Sequence, residues 1–149
     1  MLIPSRALVL IAVGPVILSL GTLFEQSLLR TTLVVDAAAV VLCIFDALLA
    51  RKGLVSVERR APNVMSIGRP NLVTLTIRSR ARRRLWVQVN DDLFEDATAE
   101  ELPVEVTLGP GGRAEQSYRV VPHRRGSYEL GDHFVRYPSP LGLFVRQQR

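Results

Sequence analysis

Few residues in this sequence have the types and spacing to do chemistry. His123 and His133 are the only histidines, and neither sits in a recognisable nucleophile motif. Cys43 is the only cysteine and lies inside an apolar run, so the chain can form no disulfide within itself. Two histidines and one such thiol do not supply the roughly four ligands of a zinc site. Asp91, Asp92, Glu95 and Asp96 could attract a divalent cation, but a solvated acidic loop is the stronger reading. Gly109-Pro110-Gly111-Gly112 lacks the Lys-Ser/Thr ending of a phosphate-binding loop and reads as a turn between strands. No catalytic residue, metal site or cofactor is expected, and the chain reads as a non-enzyme.

What remains is arginine. One cluster holds Arg78, Arg80, Arg82, Arg83 and Arg84; a second holds His123, Arg124 and Arg125. Clustered arginine can bind nucleic acid, but no recognition helix or stacking aromatics accompany these clusters. A solvated turn ranks first, lipid or partner contact second and nucleic acid a distant third. Arg82, Arg83, Arg84, Arg124 and Arg125 are the candidate contacts. Trp86 joins them because it alternates away from Leu85, Val87 and Val89. It either marks an interface, lies under a loop, or sits where both faces of the sheet are buried locally.

These residues sit on a chain of two compositions. Residues 1–50 carry only Arg6, Glu25, Arg30, Asp36 and Asp46 as charges. The remainder holds 17 Arg+Lys against 11 Asp+Glu, a net charge of +6. Residues 7–24 form an uncharged run of eighteen, close to the about 20 apolar residues that cross a bilayer. Leu2 and Ile3 extend it if the helix starts early, and Pro15 should kink it. Only Arg6 precedes the run and no clean small-x-small site follows, so it is not read as a cleaved signal.

A second run, residues 32–50, is long enough to span but contains Asp36 and Asp46. A charge at the centre of a membrane helix costs about 2.5–3.5 kcal/mol on insertion scales. One reading is a proton or ion path; the other is two carboxylates near the interfaces. Ten residues separate them by about 80° around the helix, which favours the second. Helices at about 5–24 and 32–50, joined by a linker at 25–31, predict an antiparallel hairpin. Arg6 lies outside the first helix, and Arg51, Lys52, Arg59 and Arg60 outside the second, while the linker holds only Arg30. The positive-inside rule then places both outer ends in the cytoplasm. A basic domain there is also drawn to anionic lipid.

After Lys52 the period changes to two. Residues 54–58, 71–78, 85–90 and 104–108 alternate apolar and polar, and Tyr118, Val120 and 128–137 supply further strands. Turns punctuate them at 61–63, 68–70, 109–112 and 123–126. Residues 91–101 read as a loop or one helical turn, and Ser79 falls in a turn. The expected architecture is mainly β: a two-helix transmembrane hairpin (1–52), then an immunoglobulin-like β-sandwich (53–149).

The last third carries distinctive residues. Pro122-His123-Arg124-Arg125-Gly126-Ser127-Tyr128-Glu129-Leu130-Gly131 is followed by Val135-Arg136 and then Ser139-Pro140-Leu141-Gly142-Leu143-Phe144. This resembles the bacterial and archaeal membrane proteins grouped as "domain of unknown function 58". Their signature stretches correspond here to Arg125, Gly126, Tyr128 and Gly131, and to Pro140, Leu141, Gly142 and Leu143. The Val57-Glu58-Arg59-Arg60-Ala61-Pro62 step and the Leu108-Gly109-Pro110-Gly111-Gly112 turn are similar too. The resemblance spans essentially the whole chain. It implies an association with AAA+ ATPases of the MoxR type, and a larger following domain likened to a von Willebrand A fold. Because the sequence stops at Arg149, it also implies a fragment, a truncated gene product or a split version.

The resulting expectation is a non-catalytic scaffold in the inner (cell) membrane, multi-pass, with its β domain in the cytoplasm. Its partners would be the lipid bilayer, an AAA+ ATPase, and a C-terminal domain or second chain. An exposed apolar patch is expected near residues 141–144. The alternatives are an exported envelope adhesion domain of reversed topology, and a transporter-associated subunit using Asp36 and Asp46.

Overall fold

A computed structural model describes residues 1–22, 29–128 and 131–149. The helix end expected at residue 24, most of the expected linker and residues 129–130 of an expected strand lie outside them. The elements run β1 (Leu2–Pro4), α1 (Arg6–Gly21), α2 (Leu29–Leu49), β2 (Val55–Arg60), β3 (Asn71–Ser79), β4 (Leu85–Asp91), β5 (Ala97–Glu100), β6 (Val104–Leu108), β7 (Arg113–Pro122), β8 (His133–Pro138) and β9 (Phe144–Gln148). The protein is thus mainly β, with two helices and two antiparallel sheets. Two compact units form: Met1–Arg51 with Pro138–Arg146, and Lys52–Tyr137 with Gln147–Arg149.

In the first unit Ser5 caps α1, its hydroxyl accepting the Leu8 N–H at 3.4 Å. That cap corrects the expected early start: Leu2 and Ile3 do not extend the helix. They pair instead as β1 with Arg146 and Val145 of β9. α2 begins at Leu29, earlier than expected, because 29–31 hold no helix breaker. With 21 residues it is about 31 Å long, which matches a bilayer core of about 30 Å. It is the one helix among the described residues long and apolar enough to cross a membrane; α1, at 16 residues, is shorter. Both are apolar around most of their circumference. Val9, Leu10, Val13, Val16 and Ile17 of α1 and Leu33, Val41, Ile44, Phe45 and Leu48 of α2 are all exposed. A helix without a polar face suits hydrocarbon rather than water.

In the second unit, period-2 alternation yields strands in the order β2-β3-β7-β5 and β8-β4-β6. Val73, Leu75 and Ile77 of β3, Leu85, Val87 and Val89 of β4, and Tyr118 and Val120 of β7 are all fully buried in one core drawn from both sheets. Each such side chain contributes about 1.5–3 kcal/mol. Trp86, between two buried neighbours, faces outward at 39% exposure.

Three expectations need correction. Residues 91–101 are not a loop or helical turn, since Asp91 ends β4 and Ala97–Glu100 pairs with β7. The strand expected over 128–137 is ordered as a strand only from His133. Ser79 is not in a turn: it ends β3, buried, with its hydroxyl accepting the Ala81 N–H at 3.1 Å.

Candidate functional site

The most deeply buried carboxylate among the described residues is Asp46, one turn from the end of α2. Its carboxylate accepts the Ser139 hydroxyl at 2.5 Å, the Leu141 N–H at 2.8 Å and the Leu143 N–H at 3.1 Å. Ser139 Oγ in turn accepts the Phe144 N–H at 3.0 Å. The other side of the turn is held by Ser5, whose hydroxyl donates to the Gly142 carbonyl at 2.5 Å and whose N–H donates to the Leu143 carbonyl at 2.9 Å. Gly142 has φ +78°, a backbone setting that a side chain would strain. The turn at 139–143 is therefore gripped by the start of α1 and the end of α2.

Hydrogen bonds to an ionised acceptor are about twice as strong as neutral ones, and burial raises the cost of leaving any of these groups unpaired. This grip adds to the reading of Asp46 as a carboxylate near an interface: it is buried, and its partners are the residues of this turn. It also commits Ser139 on both sides of its hydroxyl, which leaves no free nucleophile there. The expected apolar patch narrows to Leu141, half-exposed at 49%, because Leu143 is buried.

A second buried polar group stands in the β unit. Arg59 of β2 donates to Asp91 Oδ1 at 2.5 Å and to the Gly131 carbonyl at 2.9 Å. The Tyr118 hydroxyl donates to Asp91 Oδ2. Burial, together with the hydrogen bond to Asp91 and its charge, pushes the Tyr118 phenol far above its ordinary value, with Arg59 pulling the other way. Gly131 sits so close to Asp92 that an added Cβ would fall 2.8 Å from its carboxylate. The cluster ties together the ends of β2 and β4 and the segment entering β8. Sequence reasoning missed it by reading Asp91 as loop; the period-2 run continuing from Leu85 through Asp91 was the available signal.

The arginine clusters do not come together. Val55 of β2 and Arg113 of β7 pair with the last residues of β3, and Val120 with its first. Arg82, Arg83 and Arg84, following β3, thus lie at the end where the chain enters the unit. Arg124 and Arg125, following β7, lie at the other end, roughly 23 Å away by strand rise. Arg82, Arg84, Arg124 and Arg125 are exposed and Arg83 is half-buried. At the far end Arg124, Arg125, Gly126 and Tyr128 join Pro62, Met65 and Phe94 around a cleft of about 520 Å³. Phe94 and Tyr128 stack within it, ring centroids 4.3 Å apart. The cleft thus offers two guanidinium groups beside an aromatic wall, a combination suited to acidic and aromatic side chains.

The histidines are separate. His123 Nε2 lies 3.1 Å from the Thr98 hydroxyl, both exposed, and no carboxylate holds the other ring nitrogen among the described residues. His133 stands opposite Asp91 in the β4–β8 register. Among the described residues no group of three or more His, Cys, Asp or Glu side chains is placed to hold a metal. Compared with known proteins, the chain matches no family model and no curated sequence.

Proposed function

We propose that this chain is a membrane-anchored, non-catalytic interaction module. α1 and α2 form an antiparallel hairpin through the inner membrane, and the β unit is an immunoglobulin-like sandwich in the cytoplasm. The observation that carries this reading is α2, a bilayer-length helix whose apolar side chains are exposed. The grip on residues 139–143 supports the hairpin, because Ser5 at the start of α1 and Asp46 at the end of α2 bond one turn. Arg6, Arg51 and Lys52 gather at those same helix ends, which favours their retention in the cytoplasm.

Arg82, Arg83 and Arg84 are the candidate lipid contacts, and the cleft at Arg124 and Arg125 receives the partner. The resemblance to "domain of unknown function 58" supplies the partner class: an AAA+ ATPase of the MoxR type, or a following von Willebrand A-like domain. The test is topology. In a Cys43→Ala background a single thiol is placed at Gln116, exposed on β7, and intact cells are treated with a membrane-impermeant maleimide. Protection until lysis supports the cytoplasmic scaffold. Labelling in intact cells overturns it in favour of an envelope adhesion domain.

A further inference from the structure

A groove of about 770 Å³ runs along the two helices. Ala12, Pro15 and Ser19 line it from α1, and Asp36, Ala39 and Cys43 from α2. These positions recur at helical spacing, so each helix gives one face to the groove. Several are small, which is what lets a neighbouring backbone approach closely in a membrane. Asp36 breaks the apolar lining. Its Oδ1 is shut from solvent and has no hydrogen-bond partner among the described residues.

We propose that this groove is the docking site for a membrane-spanning helix of another protein, one that carries a Lys or Arg at the depth of Asp36. The inference rests on the reading of α1 and α2 as membrane helices. Ionisable groups inside a bilayer are costly, face the interior of a bundle and pair with a complementary group. Asp36 is the eighth residue of α2, about 10 Å from its start, well inside the span. The wall of the groove supplies it with no cation. A second copy cannot supply one either: residues 7–29 and 31–50 contain no Lys or Arg, and Arg30 is about 9 Å along the axis from Asp36. Charge complementarity therefore points to a different chain. The small lining residues set the fit and Asp36 the selectivity, since a helix lacking the cation leaves the carboxylate unpaired in hydrocarbon.

The test uses the full chain in phosphatidylcholine vesicles, with a donor dye on the Gln116→Cys, Cys43→Ala form. The probes are two acceptor-labelled 21-residue polyleucine helices, one with a single central Lys and one without. Alkaline carbonate is applied first, and release of the chain from the vesicles overturns the membrane reading itself. With the chain retained, the Lys helix is expected to associate at least tenfold more tightly than the all-Leu helix. Asp36→Asn should abolish that preference, and Ala39→Leu, which fills the groove but keeps the carboxylate, should weaken association of the Lys helix. Equal association of the two probes overturns the proposal, as does a preference that survives Asp36→Asn. Self-association of the chain that Asp36→Asn abolishes assigns the groove to a second copy and overturns it too.

Discussion

Asp36 and Asp46 stand ten residues apart on α2. Asp46 is fully buried yet receives a hydroxyl and two backbone N–H groups. Asp36 is half-buried, and one of its oxygens receives no hydrogen bond among the described residues. The same side chain on one helix is thus a structural fastener at the end and an unmet acceptor further in. What separates the two roles is the number of donors within reach among the described residues. Asp91 in the β unit follows the Asp46 pattern, with Arg59 and Tyr118 as its donors. A buried carboxylate with its donors in place is accounted for by the fold, and one without them calls for a partner.

Substitutions should sharpen this contrast. Asp46→Ala should have the largest effect, destabilising by about 3–5 kcal/mol, because it strands three donors at once. Chemical denaturation of the detergent-solubilised chain would measure it, and limited proteolysis should show faster cleavage near Leu141. A loss below about 1 kcal/mol would reduce Asp46 to a bystander. Tyr118→Phe should cost about 1–2 kcal/mol, since Asp91 keeps Arg59. Asp36→Leu should leave stability within about 0.5 kcal/mol of the parent, because no native hydrogen bond to Oδ1 is lost. A large loss there would erase the distinction between the two carboxylates.

A pH series adds a further check. The folded Tyr118 phenol holds its proton more tightly than the unfolded one, so its contribution is complete below about pH 10, where both states are protonated. As pH rises beyond that, the unfolded chain releases the proton while the folded one keeps it. Stability therefore declines toward the folded value. Tyr118→Phe should flatten this decline in an unfolding series between pH 8 and 11.

The strands that alternate cleanly were legible from the sequence. β4 places a buried residue at every second position and β3 does so from Val73 onward, β6 keeps the period with Val104 and Leu108 buried and Val106 half-buried, and outward-facing Trp86 falls on the same period. β5 was not, because Ala97 and Ala99 carry too little apolar bulk to mark a face. β1 was hidden for a different reason: Leu2 and Ile3 look like the start of an apolar helix, and their partners, Arg146 and Val145, lie at the far end of the chain. The grip on residues 139–143 was illegible on the same grounds. Local periodicity reports which face a residue takes, not which distant group it meets. The Ser-Pro-Leu-Gly-Leu stretch could be noticed as unusual, but nothing near it named Asp46.

The sequence distance between Asp46 and its partners also bears on biosynthesis. Ser139 follows Asp46 by 93 residues, so on the membrane-anchored reading proposed above the ribosome would deliver the carboxylate to the bilayer long before any of its donors exist. At about 5–20 residues per second that interval lasts several seconds. During it the end of α2 carries an acid without these donors, which on that reading favours a shallow, provisional insertion. Emergence of residues 139–143 then ends the delay by capping the acid and securing both helix ends at once. A ribosome halted before Ser139 would leave a nascent chain in which Asp46 lacks all three of these donors.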